Sequence, residues 1–141
     1  MTTVTSHTLQ QFPEKLAVVR LPPGAEIPAW AESSSLFSIT ATATETSLVC
    51  AGRDVPTKVV ALRGLTAFAV QGPLELALVG VLADLLAPLA ELGISVHALS
   101  TYETAWVLVA GAEAERAADA WRARGHVVDL AVPVKPTRKK S

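Results

Sequence analysis

The chain has 141 residues, of which half are hydrophobic and 18% are charged, so it can bury a core and is not a disordered chain. Its formal net charge is −1, which argues against a protein that binds polyanions over its whole surface. A single cysteine excludes an intramolecular disulfide and is typical of a reducing compartment. The sequence opens without a basic and apolar signal segment, and we expect a cytoplasmic protein that does not enter a membrane.

The positive charge is concentrated at the C-terminal end. Four of the last seven residues are basic, namely Lys135, Arg138, Lys139 and Lys140. A basic tail can contact nucleic acid or anionic lipid, but four charges at a flexible end support only weak, salt-sensitive binding. We therefore expect residues 134–141 to be a flexible basic tail and do not expect nucleic acid as a partner.

Apolar periodicity and turn residues predict the following elements in chain order. Residues 1–12 are expected to be a flexible lead, because the polar N-terminal residues show no periodicity. Strands are predicted at residues 16–21, 36–43 and 47–51, with one helical turn at 27–31. After them come a strand at 65–70, a long helix at 75–92, strands at 94–100 and 105–110, a helix at 112–124 and a strand at 126–132.

The order of these elements indicates two related units, residues 13–63 and 64–133. The second has the complete β-α-β-β-α-β order of a ferredoxin-like α+β unit, whereas the first lacks a clear second helix. At an offset of 58 residues, Glu45, Thr46 and Val49 recur as Glu103, Thr104 and Val107. The sequence therefore predicts two tandem ferredoxin-like units with antiparallel sheets, the first one reduced.

The predicted helix at residues 75–92 is apolar almost all round. A helix that covers one face of a sheet needs only one apolar stripe. We expect the additional apolar surface to be buried against the sister unit or against a second protomer.

Motifs for catalysis and metal binding are missing from the sequence. It contains neither a GxxxxGK[ST] nor a GxGxxG phosphate loop, and no pair of cysteines or His/Cys cluster at zinc spacing. Cys50 could form a catalytic Cys-His pair with His97 or His126. Its place in the middle of an apolar strand favours a buried, inert thiol instead. We expect no catalytic residues, no metal and no cofactor.

Two polar segments remain as candidate binding sites. The first joins a predicted strand to the predicted long helix and consists of Gln71, Gly72, Pro73 and Leu74. Unpaired N–H groups at a helix N-terminus attract a carboxylate, and a glycine there permits close approach of a ligand. The alternative interpretation of this segment is an ordinary tight turn.

The second candidate segment is a hairpin that consists of Ser100, Thr101, Tyr102, Glu103 and Thr104. Its hydroxyls and carboxylate could hold an ammonium group and a polar side chain. The alternative is a turn made of residues that commonly form turns, without any ligand.

Residues 16–31, 36–52 and 71–109 resemble the small bacterial ACT-domain proteins related to the CASTOR arginine sensors. The most specific parts are the IPAWA segment, the Gly-Pro-Leu sequence before the long helix, and GIS followed by STY-x-T. The resemblance implies tandem ACT units that bind an amino acid or a similar effector where two units meet. The ligand would lie between the loop at residues 71–74 and the hairpin at residues 100–104.

The chain departs from that family at one position. Many members have STY-Asp-Thr-Asp at the hairpin, whereas here Glu103 keeps the first acid and Ala105 replaces the last. A guanidinium or ammonium ligand would lose a charge-assisted hydrogen bond, which argues against arginine. A neutral amino acid, another small metabolite and a vestigial site remain open.

The leading hypothesis is thus a small-molecule-binding regulatory module without catalysis, which we expect to form a homodimer. The alternative is a ligand-free interaction or structural module that uses the apolar helix and the sheet edges, because ferredoxin-like folds serve many unrelated roles.

Overall fold

A computed structural model of the chain describes residues 6–72 and 79–132. The strands are β1 (Thr8–Leu21), β2 (Ser38–Ala41), β3 (Thr46–Ala51), β4 (Ala61–Val70), β5 (Val96–Ser100), β6 (Ala105–Ala110) and β7 (Val127–Leu130). The helices are α1 (Val81–Glu91) and α2 (Ala114–Ala123), the second preceded by a 3₁₀ turn at Gly111–Glu113. Neither described helix is long and apolar enough to cross a membrane.

The described residues divide into two compact units. The long unit consists of residues 6–13, 66–72 and 79–131, and the short unit consists of residues 14–65 and Val132. Strands β1 and β4 each contribute residues to both units. The division thus departs from simple sequence order, because residues 6–13 belong to the unit that is otherwise C-terminal.

The sheet of the long unit has the order β7-β1-β4-β6-β5. Residues Thr8 to Gln11 of β1 pair in parallel with β7, and the Gln71 N–H donates to the Thr8 carbonyl at 2.7 Å on the other side. β5 and β6 form an antiparallel hairpin. The expected antiparallel arrangement is present in the hairpin β5–β6, whereas β1 and β7 run parallel, because a strand inserted between oppositely directed neighbours must run parallel to one of them.

Residues 8–12, which the sequence predicted to belong to the flexible N-terminal lead, form the beginning of β1. Leu9 is fully buried there, and the Phe12 ring stacks on Trp106 with centroids 4.9 Å apart. A strand that is hydrogen-bonded on both sides is held by its backbone and needs few apolar side chains. This explains why the polar sequence did not reveal it.

One cluster of buried side chains joins α1 and α2 to the sheet of the long unit. Trp121 is at its centre, fully buried, with its indole N–H donating to the Leu85 carbonyl at 2.8 Å. The Phe68 ring meets it edge to face, with centroids 4.8 Å apart. The predicted α2 stripe is confirmed, since its four members are buried, namely Ala114, Ala117, Ala118 and Trp121.

Helix α1 begins later than predicted. It starts at Val81 after Gly80, whose φ of 82° is left-handed, whereas the sequence predicted a start at residue 75. Left-handed backbone at Gly80 ends any right-handed helix that approaches from the N-terminal side. Residues 73–78 lie outside the described part of the chain.

The apolar surface of α1 is largely buried within its own unit. Leu85 and Leu89 are fully buried, and Val81, Leu82 and Leu86 pack partly buried against the same core. The opposite side exposes Ala83, Asp84, Ala87, Ala90 and Glu91. The sequence predicted that part of this apolar surface needs a second unit or protomer to cover it. Within residues 81–91, the large apolar side chains are instead covered by the core of the long unit.

The sheet of the short unit has the order β2-β3-β1-β4, with antiparallel pairs between β2 and β3 and between β3 and β1. Residues 22–37 and 52–60 connect its strands without a helix. The turn predicted at residues 27–31 is present, closed by a hydrogen bond from the Ala31 N–H to the Pro28 carbonyl. The buried core of the short unit consists of Ala17, Val19, Leu48, Cys50 and Val55.

The turns that connect the strands of the hairpins β2–β3 and β5–β6 have the same hydrogen bonds. In the first, the Thr42 N–H donates to the Glu45 carbonyl at 2.9 Å, and the Thr42 hydroxyl oxygen accepts from the Glu45 N–H. In the second, Thr101 and Thr104 make the same two bonds. Thr42 thus corresponds to Thr101, an offset of 59. The offset of 58 is wrong, because Glu45 corresponds to Thr104 and not to Glu103.

Gly64 lies inside β4 with a φ of +70°. A strand residue with left-handed backbone marks a bulge or bend that favours glycine. We expect Gly64→Ala to lower the free energy of unfolding by about 1 kcal/mol, because a Cβ strains that backbone even though no atom lies within 4 Å of it.

Gly52→Ala is the matched control for urea denaturation of Gly64→Ala. Gly52 is also in the short unit, has ordinary backbone, and a Cβ there would meet atoms only at 3.7 Å or more. Equal stability changes for the two variants would contradict the bulge at Gly64.

Candidate functional site

The structure brings the two candidate binding segments together at one end of the long-unit sheet. The Thr104 hydroxyl donates to the carbonyl of Val70 at 2.5 Å, and Val70 is the last residue of β4. The hairpin therefore lies beside Gln71 and Gly72, both of which are exposed. Pro73 and Leu74, the other two predicted residues of this loop, lie outside the described part of the chain.

The hairpin turn uses its threonines internally. The Thr101 N–H donates to the Thr104 carbonyl at 2.8 Å, and the Thr101 hydroxyl oxygen lies 3.2 Å from both the N–H and the carbonyl oxygen of Thr104. These bonds shape the turn. Two of the five residues predicted to bind a ligand, Thr101 and Thr104, therefore use their hydroxyls in hydrogen bonds within the protein.

The remaining hairpin side chains face solvent. Ser100, Tyr102 and Glu103 are exposed, Tyr102 to 80% of its surface. We call the set Gln71, Gly72, Ser100, Thr101, Tyr102, Glu103 and Thr104 the polar edge. It includes one carboxylate, a phenol and an amide, carried by two segments that meet at the end of a sheet.

Ala105, which replaces an acid in the resembling family, belongs to the core of the long unit. It is 5% exposed and packs in the same cluster as Trp121. An ionised carboxylate at this position would have to be buried, at a large cost unless it were paired. The negative charge of the polar edge therefore rests on Glu103.

The start of α1 does not lie at Gly72. The first turn of α1 is closed by the Asp84 N–H, which donates to the Gly80 carbonyl at 2.9 Å. The unpaired N–H groups and the positive end of the helix dipole belong to that turn. The start of α1 therefore does not supply the unpaired N–H groups expected at residues 71–74, and a carboxylate site at those residues stays a prediction.

The most strongly perturbed acid is one that the sequence analysis missed. Glu14 begins the short unit, and its side chain is 8% exposed. Its carboxylate accepts hydroxyl hydrogen bonds at 2.6–2.7 Å and N–H hydrogen bonds at 3.0–3.2 Å from the three-serine segment Ser33-Ser34-Ser35, and a guanidinium bond at 2.8 Å from Arg53. The run of three serines was the only sequence signal for this arrangement.

Burial by itself raises the pKa of Glu14, but the hydrogen bonds from Arg53, from Ser33 and Ser35 and from the Ser34 backbone outweigh it and hold that pKa well below its ordinary range. A carboxylate held ionised in this way does not exchange protons near neutral pH. We therefore interpret Glu14 as an anchor that fixes the loop at residues 33–35 on β1.

We expect Glu14→Gln to lower the free energy of unfolding by about 2 kcal/mol at neutral pH, since a charged acceptor of several hydrogen bonds is lost. The folded pKa is depressed, so this contribution is fully present above about pH 4.3 and decreases progressively as the pH falls from there toward the lower folded pKa. Urea denaturation at pH 7 and at pH 3.5 checks both statements.

Glu32→Gln is the control for Glu14→Gln. Glu32 lies 3.6 Å from the same guanidinium but is 35% exposed, and it should cost less than about 1 kcal/mol. A stability difference between wild type and Glu14→Gln that does not shrink at low pH would contradict the anchor.

Cys50 is buried in the short unit, as predicted. Burial and the negative charge of Glu14 raise the pKa of its thiol, which keeps it in the unreactive protonated form. Residues 6–72 and 79–132 contain no group of three or more His, Cys, Asp or Glu side chains that could hold a metal ion.

Comparison with known proteins finds two family models that match parts of the chain. Residues 60–122 match the ACT domain family. A second family model, described as an N-terminal domain, matches residues 14–58. No curated protein sequence matches the chain.

Solved structures share the fold over most of the chain. A crystal structure of a protein from Agrobacterium tumefaciens is 29% identical, with a TM-score of 0.84 over 92% of this chain and 96% of that one. A Vibrio cholerae protein described as a possible transport protein is 20% identical, with a TM-score of 0.64 over 84% and 90% of the two chains. The regulatory subunit of aspartate kinase from Thermus flavus is 12% identical, with a TM-score of 0.52 over 88% and 99%.

These findings give the region of residues 60–122 an ACT-type α+β fold, with two helices on a sheet. The prediction of a ferredoxin-like ACT unit is confirmed to this extent. The polar edge extends from the end of β4 to the hairpin β5–β6 and therefore lies within the matched region.

Thr104→Val should loosen the polar edge, because the bond from the Thr104 hydroxyl to the Val70 carbonyl is lost and the valine cannot replace it. We expect a loss of about 1–2 kcal/mol in the free energy of unfolding. Thr104→Ser keeps the hydroxyl and should retain most of that stability. Equal losses for the two variants in urea denaturation would show that this hydrogen bond does not hold the hairpin.

Proposed function

We propose that the chain is a regulatory module that binds an amino acid or a similar small effector at the polar edge and carries out no catalysis. The observation that carries the proposal is the hydrogen bond from Thr104 to Val70. It joins the loop after β4 and the hairpin β5–β6, the two segments proposed for the ligand, inside the region that matches the ACT domain family.

The aspartate kinase regulatory subunit of Thermus flavus, whose fold this chain shares, supports a regulatory role. ACT domains are regulatory modules that bind amino acids, and a fold by itself does not fix a function. The relation to the CASTOR arginine sensors stays a prediction.

The chemistry of the polar edge favours a ligand with an ammonium group. Glu103 is the one carboxylate in the set, and it and its sequence neighbour Tyr102 are both exposed. A carboxylate binds an ammonium through a charge-assisted hydrogen bond, and an aromatic face adds a cation–π contribution. With the core residue Ala105 in place of a second acid, a neutral amino acid fits better than arginine.

An exposed edge needs a second surface to enclose a ligand, because small-molecule sites bury most of the ligand surface. We propose that an ACT unit of a second copy provides it, so that the chain acts as a homodimer. Ligand at such an interface would favour one arrangement of the two copies, which is how the module would signal.

We also propose that the short unit is a reduced relative of the long unit. Three features support this. When the strands of each unit are numbered by their order in that unit, both sheets have the order 4-1-3-2, with the beginning of β1 inserted in the long one. Both central hairpins end in the same threonine turn. Both second hairpin strands, β3 and β6, have six residues.

A thermal-shift panel of the twenty amino acids, measured on the full chain, tests the function. A binding amino acid at about a hundred times its Kd adds roughly 2.7 kcal/mol of stability, which raises the Tm by several degrees. Glu103→Gln should abolish most of that shift, because the charge that holds the ammonium is removed.

Glu26→Gln is the matched control, since Glu26 is an exposed acid of the short unit. It should leave the shift unchanged. A panel extended to nucleotides and common metabolites in which no compound changes the Tm would overturn the proposed function. A shift that survives Glu103→Gln would place the ligand elsewhere on the chain.

A further inference from the structure

Two of the three histidines of the chain form a buried pair in the long unit. His7 precedes β1 and is 9% exposed, and His126 precedes β7 and is 5% exposed. Their rings stack with centroids 5.7 Å apart. The His7 N–H donates to Nδ1 of His126 at 3.0 Å, so the backbone of one histidine is bonded to the ring of the other.

This hydrogen bond requires the neutral form of His126. Nδ1 must present a lone pair to the His7 N–H, so the ring proton is on Nε2. Protonation would place a second N–H on Nδ1, directly opposite the first. The two donors would repel, and either the ring or the beginning of β1 would have to move.

The surroundings of His126 favour the neutral ring. Burial lowers the pKa of His126, as does the nearby His7 ring; Asp84 on α1 raises it, and Arg124 after α2 lowers it. Arg124 also forms an ion pair with Glu91 at 2.7 Å. The neutral form is thus the stable one at neutral pH, and the folded chain binds this proton less readily than the unfolded chain does.

The pair is connected to the polar edge through β1. Two further hydrogen bonds hold the same end of the strand, from the Ser6 hydroxyl to the Gly125 carbonyl at 2.7 Å and from the Val127 N–H to the His7 carbonyl at 3.0 Å. The next residue, Thr8, accepts from the Gln71 N–H. Displacement of His7 therefore moves the acceptor that fixes Gln71.

We propose that His126 is a proton-sensitive latch: in its neutral form it holds the beginning of β1 through His7, and its protonation releases that segment and with it Gln71 of the polar edge. The latch is closed above about pH 6.5, the ordinary value for a histidine, and opens as the pH falls below it.

Amide hydrogen exchange of the full chain, followed residue by residue by NMR at pH 7.5 and pH 5.5, tests the latch. Rates are expressed as protection factors relative to the intrinsic rate at each pH. We expect the protection of the His7 and Gln71 amides to fall about tenfold at the lower pH, while Val107 in the middle of β6 keeps its protection.

Three variants separate the latch from general acid destabilisation. His126→Asn places an amide oxygen near the position of Nδ1 and cannot titrate, so the protection of His7 should become independent of pH. His126→Ala removes the acceptor and should give low protection at both pH values. His97→Asn removes the exposed histidine of β5 and should behave as the wild type.

Protection that is unchanged between the two pH values in the wild type, or that falls equally in His126→Asn, would overturn the latch. If neither His126 variant folds, the wild type and His97→Asn still test the latch. In both proteins, the imidazole signal of His126 must titrate with the same midpoint as the loss of protection at the His7 and Gln71 amides. The latch does not depend on the proposed ligand: a positive result with a flat thermal-shift panel would keep the latch and reject the proposed function.

Discussion

The backbone hydrogen bonds of residues 8–11 are the constraint on which the long unit depends. This segment lies between β7 and β4, pairs in parallel with β7, and accepts from Gln71 on its other side. It contains a single fully buried apolar side chain, Leu9, so its position is fixed by backbone bonding more than by apolar burial. The polar edge and the histidine pair both adjoin it and take their geometry from it.

Elements with strong local signals could be predicted from the sequence. The stripe of α2, the hairpin β5–β6 and the strand β3 are located close to their expected positions, because their apolar periodicity matches their burial. The polar segment of β1 could not be predicted, because its partners are distant in sequence and its own side chains carry no pattern. The start of α1 was missed because Gly80, between apolar residues, looks like a helix interior.

For the candidate site, the sequence located the hairpin at residues 100–104, but it did not show which of its polar side chains bond within the protein. Residue type identified Thr101 and Thr104 as polar groups available to a ligand, whereas their hydroxyls close the turn and bond to β4. Glu14 was overlooked because an acid at the beginning of an apolar strand looks like a solvated residue. Only the return of the serine loop, distant in sequence, encloses it.

The same threonine turn occurs in both hairpins, but the side chain at its end differs. Thr42 and Thr101 occupy the same place and make the same bonds, yet Glu45 and Thr104 differ at the end of that turn. The Thr104 hydroxyl bonds to the neighbouring strand. Both hairpins thus reverse the chain with the same turn, and in β5–β6 the Thr104 side chain also ties that turn to β4.

Cys50 makes the short unit observable by itself. It is the single cysteine of the chain, fully buried in the core of that unit, with a thiol whose pKa is raised by burial and by Glu14. Thiolate is the reactive species, so an alkylating reagent can label the chain only when the short unit opens. The rate of labelling therefore counts opening events of one unit, in a protein whose histidine pair reports on the other.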